Sequence, residues 1–335
     1  MPPAPHRYPF IDALRGFAIA GILLVNIPDI THLSRDVPGP LPDSPLLTSL
    51  YSLVSGRFVP IFAFLFGASL ALIRDSAHRK GRTAWPVLTR RLVALAGIGL
   101  LHQLIYPGEV LTFYAVVGLV LLPLILRLPA RAKLILGLLL TLGAYAVTGG
   151  GPTTLPGLFL LGASANDHHW LDHLDAGDRP VQLTALAAGL ATIPALWWQT
   201  TQPGDPRFTM AGGIAGFIMS ILYVSVLSLL WQTPLRRAIQ ATFTPLGRAA
   251  FTCYLTATLI TVPVGAWLHL ANSNGLNQCL LLAIAIFIGQ NLFIRLWFTR
   301  FTYGPLEWPW RAITWWGNPT TAPPTAASTP SPDKP

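Results

Sequence analysis

The sequence predicts an all-α fold, a polytopic integral membrane helical bundle of about ten transmembrane helices with both termini on the cytoplasmic side. Three observations predict it. Charged residues make up only 10% of the 335-residue chain and hydrophobic residues 52%, whereas a soluble domain carries about a quarter charged residues. Apolar runs recur along the chain at close to twenty residues, the length that crosses a hydrocarbon core about 30 Å thick. Basic residues gather in the segments between alternate runs, as they do in cytoplasmic loops. The net charge of +9 follows from the same bias. It does not indicate nucleic-acid binding, because no solvated basic domain is present to hold a duplex. The expected partner is the lipid bilayer.

The first span is read at 11–28, followed by a polar, Pro-rich loop over 29–51. Arg15 falls between the chain start and the first apolar run, and no small-residue cleavage site follows cleanly, so this run reads as a retained span. Further spans are read at 58–73, 92–106, 110–126 and 134–148. Only a short Pro-Gly link separates the third from the fourth. The segment 152–165 is short for a span. It must nevertheless cross if the basic segments 74–91, 127–133 and 236–248 are all to lie inside. Four spans complete the set, at 181–199, 208–231, 250–270 and 277–297. Residues 1–317 are thus expected to form one integral membrane domain, with 208–317 as its carboxy-terminal part. The Pro/Ser/Thr-rich 318–335 is expected to be a disordered tail.

No metal site is expected. Cys253 and Cys279 sit singly in apolar runs, without CxxC spacing. His168, His169 and His173 lie in HHWLDH, which does not match a helical HExxH.

Depth arithmetic places the remaining polar residues. With Arg91 at the inner surface, His102 lies about 16 Å above it, beyond the membrane midplane. Asn26 stands the same number of residues above Arg15, and so shares that depth. Glu109 and Arg57 fall near the outer surface. An outer layer therefore holds Asn26, Arg57, His102 and Glu109, with His32 in the adjoining loop. An inner layer holds Asp12, Arg15, Arg248, Arg300, Glu307 and Arg311. Ionisable groups within spans are costly and face a cavity or a partner.

Each has a structural reading beside a functional one. Asp12 and Arg15 are three apart on one helix face, as an entry ion pair or facing a ligand. Asn26 can hydrogen-bond to a neighbouring helix. Arg57 can snorkel to the outer surface, or pair with Glu109 or an anionic substrate. Glu109 follows Pro-Gly at a helix start, where the helix dipole stabilises a carboxylate, and it can also orient His102. His102 can be a packed neutral histidine or a proton acceptor.

Four stretches together resemble the YeiB-like membrane family (domain of unknown function 418). They are DALRGFAIAGILLVNI from Asp12, GRFVPIFAFLFGASLAL from Gly56, RRLVALAGIGLLHQLIYPGEVLTFYAVVGLVLLP from Arg90, and a region from PLGRAAFTCYL at Pro245 to RLWFTRFTYGPLEWPWRAITW at Trp315. The piece GPLEWPWR is the most specific. The first stretch also resembles the opening of transmembrane acyltransferases, both the acyltransferase-3 group and the heparan-glucosaminide acetyltransferase group. Two positions depart from these patterns. Acyltransferase-3 members carry a histidine late in the first span, where this chain has Asn26. The YeiB-like family shows Gly-Asp where this chain has Gly108-Glu109.

The resemblance implies a multi-pass protein of the bacterial cytoplasmic membrane. It implies an acyltransferase that moves an acyl group from cytoplasmic acyl-CoA, acetyl-CoA among the donors, to a small-molecule or envelope acceptor. Acyl-CoA enters as a co-substrate, and no bound cofactor is expected. On that reading Arg15, Arg248 and Arg311 hold the donor's phosphates. His102 is the general base, oriented by Glu109 or Arg57, and Asp12, Asn26 and Glu307 face substrate. The other reading is a small-molecule transporter or exporter, with the two polar layers as gates and His102 with Glu109 as a proton-coupled pair.

Overall fold

The computed structural model describes residues 8–39 and 41–316. The tail expected at 318–335 lies outside the described residues. Fourteen α-helices follow one another, with no strand among the described residues. In chain order they are α1 (Pro9–Ile30), α2 (Pro45–Leu53), α3 (Phe58–Arg79), α4 (Ala84–Gln103), α5 (Leu111–Arg127), α6 (Ala130–Thr148) and α7 (Leu155–Asp167). Then come α8 (Trp170–Ala176), α9 (Arg179–Thr200), α10 (Met210–Trp231), α11 (Arg236–Arg248), α12 (Ala250–Trp267), α13 (Leu276–Phe298) and α14 (Glu307–Trp315).

Every segment read as a span is a helix, and among the described residues eight helical segments are long and apolar enough to cross a membrane by length and composition. Helices α2 and α3 form one of these, Pro45–Arg79. Helix α5 is shorter, at 17 residues, and α7 has only 13. At about 1.5 Å per residue, α7 covers roughly 20 Å, and the 3-10 turn Gly151–Thr154 runs directly into it. Ten of its residues, Leu155 and Gly157–Ala165, are buried inside the protein. Irregular or short elements at membrane depth are tolerated when protein rather than lipid surrounds them.

Two basic segments expected to be loops are helical instead. Helix α3 continues to Arg79 and α4 begins at Ala84, leaving only a tight turn between them. Segment 236–248 is α11, an amphipathic helix that buries Ile239 and Leu246 against the bundle and packs along α1. Helix α4 also ends earlier than expected, at Gln103. The Tyr106 N–H closes back on the His102 carbonyl at 3.0 Å, and Pro107 cannot continue the helix.

Helices α3, α4, α5 and α7 share the main core, built on Leu70, Leu88, Leu92, Tyr114 and Phe159. Helices α3 and α7 cross closely. A Cβ on Gly67 would meet the Phe159 carbonyl at 2.1 Å, and one on Gly162 would meet the Phe64 carbonyl at 1.9 Å. Small residues at such crossings let the backbones approach, which is how membrane helices gain packing. Large apolar side chains such as Leu139, Leu190, Leu281 and Leu296 point outward, each more than 60% exposed. An outer surface of this kind is a liability in water and matches a hydrocarbon environment.

Candidate functional site

Helices α1, α3, α5, α12 and α13 enclose a cavity of about 80 Å³. Its wall is apolar apart from a few groups, chiefly Asn26, Tyr114, Tyr254, Thr258 and Gln290. Gln290 is fixed, its amide donating to the Cys253 carbonyl at 2.8 Å and to Thr256 Oγ1 at 2.9 Å. Asn26 makes no side-chain hydrogen bond to a neighbouring helix among the described residues and borders the cavity.

His102 lies in the last turn of α4 and is only 4% exposed. Neither ring nitrogen has a hydrogen-bond partner. The ring is flanked edge-on by Tyr254 at 5.5 Å and Tyr106 at 6.4 Å between ring centroids. The Tyr254 hydroxyl is likewise buried, with no side-chain partner and with the Val110 N–H beside it. Each unsatisfied buried polar group costs about 1–3 kcal/mol. Packing alone would favour an apolar residue at 102, so the imidazole needs another account. His102 does not itself border the cavity, whereas Tyr254 does. In the loop beyond α4, burial, then the charge of Asp29, pushes the Tyr106 phenol up to about 12.

The two glutamates expected at the site close helix ends. Glu109 accepts hydrogen bonds from the N–H groups of Leu111 (2.6 Å) and Thr112 (3.0 Å), which caps α5. It lies within electrostatic reach of His102, but its oxygens are aimed at the helix, so it does not hold the imidazole by a hydrogen bond. Glu307 accepts from the N–H groups of Phe251 (2.8 Å) and Thr252 (2.9 Å) and from Thr252 Oγ1 (2.6 Å), which caps α12 from α14. Burial holds its carboxyl above the usual range, against the lowering effect of those bonds. Gly304 permits this approach, since a Cβ there would lie 2.0 Å from Glu307 Oε2. Both capped helices line the cavity.

Arg57 does not meet Glu109. It is fully buried and donates to the Ser55 carbonyl and to Gln199 Oε1 on α9. It therefore does not snorkel, because its guanidinium finds partners inside the protein. Nearby, Arg207 pairs with Asp29 and with Asp205. Burial lowers its pKa, but the bonds to Asp205 and Asp29 outweigh that and raise it. Together with Tyr51 and Ser55 they line a second cavity of about 110 Å³. His32 is exposed, with φ +52°.

At the opposite end, Arg15 pairs with Asp12 at 3.2 Å and donates to Ser69 Oγ at 3.0 Å. Arg91 lies over the Trp310 ring at 3.5 Å and within electrostatic reach of Arg311, Arg15 and Glu307. Arg311 lies over the Tyr303 ring at 4.7 Å. Burial, then the charges of Arg311, Arg82 and Arg79, hold the Lys80 ammonium below its ordinary range. Arg248 is turned to the Thr302 carbonyl at 3.0 Å and the Phe298 ring at 3.9 Å, and Arg300 is exposed. The Trp310 indole also donates to the Arg91 carbonyl at 3.1 Å. Four residues of GPLEWPWR thus have structural roles: Gly304 makes room for Glu307, Glu307 caps α12, Trp310 carries Arg91, and Arg311 joins the cations.

Arg91 and Tyr254 are the two residues that sequence reasoning missed as site groups. Arg91 was a surface marker, and Tyr254 was part of a span. A hydroxyl in the apolar run of α12 was the available signal. Among the described residues no group of three or more His, Cys, Asp or Glu could hold a metal ion. His168 instead meets Ser164 and stacks on Trp170, and His173 pairs with Asp178.

Residues 7–175 match the family described as "Heparan-alpha-glucosaminide N-acetyltransferase, catalytic", and residues 165–317 match "Protein of unknown function (DUF418)". The "Uncharacterized 39.9 kDa protein in amylase 3'region" of Bacillus acidopullulyticus is 30% identical over 324 residues, covering 91% of this chain and 93% of that protein. The "Uncharacterized protein YxaH" of Bacillus subtilis (strain 168) is 26% identical, covering 92% of this chain and 94% of its own. The "Uncharacterized protein YeiB" of Escherichia coli (strain K12) is 25% identical, covering 91% and 95%. No solved structure matches. The chain belongs to the YeiB-like DUF418 family of helical membrane proteins, and its first half is similar to the transmembrane acetyltransferase catalytic family.

Proposed function

We propose that the protein is a membrane-embedded acyltransferase that moves an acyl group from cytoplasmic acyl-CoA to a small-molecule or envelope acceptor. The observation that carries this reading is the match of residues 7–175 to an acetyltransferase catalytic family. That half supplies Arg15, Arg91, Asn26 and His102. Arg15, Arg91 and Arg311 converge on one end of the bundle with few carboxylates among them. Such a cluster suits the phosphates of the donor, which arginine recognises through charge-assisted hydrogen bonds. The acyl thioester extends from there toward the cavity beside Asn26. His102 is the base that takes the acceptor's proton.

The test is acyl-CoA consumption and acceptor acylation by purified protein in lipid, wild type against His102→Ala. Transfer by the wild type and its loss in the variant are expected. Unchanged transfer in the variant removes His102 from the reaction. A second reading, transport of a small molecule, is favoured by the other cavity, lined by Asp29, Asp205 and Arg207. Flux of a solute across vesicles without turnover of any acyl-CoA would support it instead.

A further inference from the structure

The cavity holds no base of its own. No Asp, Glu, His, Lys or Arg lies on its wall. An acceptor bound there meets only Asn26, Tyr114, Cys253, Tyr254, Thr258 and Gln290 as polar partners. His102 lies behind that wall, buried and with both ring nitrogens unpaired. Tyr254 forms part of the wall and also packs edge-on against the His102 ring at 5.5 Å. Its enclosed hydroxyl has no side-chain partner and lies beside the Val110 N–H. The hydroxyl and the imidazole are neighbours that are not hydrogen-bonded to each other at rest, so a turn of either side chain is what joins the cavity to the ring.

We propose that Tyr254 is the catalytic hydroxyl of this site, passing the acceptor's proton from the cavity to the His102 imidazole behind it. The proposal rests on the acyltransferase reading and gives its base a route to the substrate. The acceptor's oxygen or nitrogen bonds to the thioester carbonyl carbon. As it does so, its proton moves to Tyr254 Oη while the Tyr254 proton moves to a ring nitrogen of His102. Collapse of the adduct breaks the carbon–sulfur bond. The sulfur leaves with the electron pair and receives the proton back through the same two side chains. The products are the acylated acceptor and free CoA thiol, with no oxidant or reductant involved. The pair joins two parts of the chain, because His102 belongs to the acetyltransferase-like half and Tyr254 to the DUF418 half.

Tyr254→Phe keeps the ring and its packing and removes only the hydroxyl. In purified full-length protein, kcat for acyl transfer is expected to fall about 100-fold or more, the scale of general acid–base catalysis. KM for acyl-CoA should stay within about twofold, and the thermal midpoint should change little, because the hydroxyl makes no side-chain bond. His102→Gln should lower kcat similarly, and the double variant should lose little more than either single one, as members of one unit do. Full activity in Tyr254→Phe, or losses that multiply in the double variant, would overturn the relay alone. A lowered thermal midpoint with a parallel loss of activity would overturn it too, by making the hydroxyl a structural bond. No transfer by the wild type with any acyl-CoA would overturn the acyltransferase reading and the relay together.

Discussion

The two polar ends of the bundle handle charge in opposite ways. At the end that carries Arg15, Arg91 and Arg311, cations from three helices face one another, and Arg91 and Arg311 rest on aromatic rings rather than on carboxylates. At the other end the charged groups have polar partners: Arg57 meets Gln199 and the Ser55 carbonyl, with its Nε left over, Arg207 meets two aspartates, and Glu109 the start of α5. The groups at and behind the cavity wall are neutral ones, Asn26, Tyr254 and His102. On the acyltransferase reading, a charged donor and a proton transfer would each find a suited environment at opposite ends of the bundle. Excess positive charge attracts phosphates but would oppose an imidazolium on His102, so that reading gives the distance between the two ends a chemical use.

The comparison is broken most directly at the cationic end. Each charge-assisted hydrogen bond is worth about 1.5–3 kcal/mol, which is about ten- to hundredfold in affinity. Arg91→Met and Arg311→Met are each expected to raise KM for acyl-CoA by roughly that factor, with kcat changing much less. Added salt should weaken donor binding in the wild type and less so in the variants. Steady-state kinetics at two ionic strengths checks this. A fall in kcat at constant KM would place these arginines elsewhere in the cycle.

The contrast between the charged groups and the neutral ones is sharpened at Glu109. Replacing a capping side chain by alanine costs about 1 kcal/mol. Glu109→Ala should therefore lower the thermal midpoint modestly and leave KM for acyl-CoA unchanged. A loss of kcat as large as that of His102→Ala would make Glu109 a partner of the imidazole after all.

The helices were legible because apolar periodicity and length are local properties, and each expected span coincides with a helix. The burial of α7 was not, since it depends on α3 and α6, which enclose it. Among site residues, the cap at Glu109 could be read from Pro-Gly at a helix start. The cap made by Glu307 could not, because the helix it closes begins far away in sequence. Tyr254 offered only a weak signal, a hydroxyl in the apolar run of α12. A tyrosine in an apolar run becomes notable only once it is found between a cavity and a buried histidine.

The smallest expected effect tests whether the basic end is built for a ligand or merely paired. Asp12 and Arg15 lie three residues apart, with side chains 15% and 23% exposed. Partly exposed pairs of this kind contribute about 0–1 kcal/mol. Asp12→Asn should thus change stability very little. It also frees Arg15, which keeps its bond to Ser69 and its place near Arg91. If Asp12 only tempers the charge of Arg15, the variant should bind acyl-CoA the same or up to a few-fold more tightly, as measured by calorimetric titration with CoA. If Asp12 instead contacts the donor, binding should weaken, and Arg15 would then be held for an ion pair rather than for a phosphate.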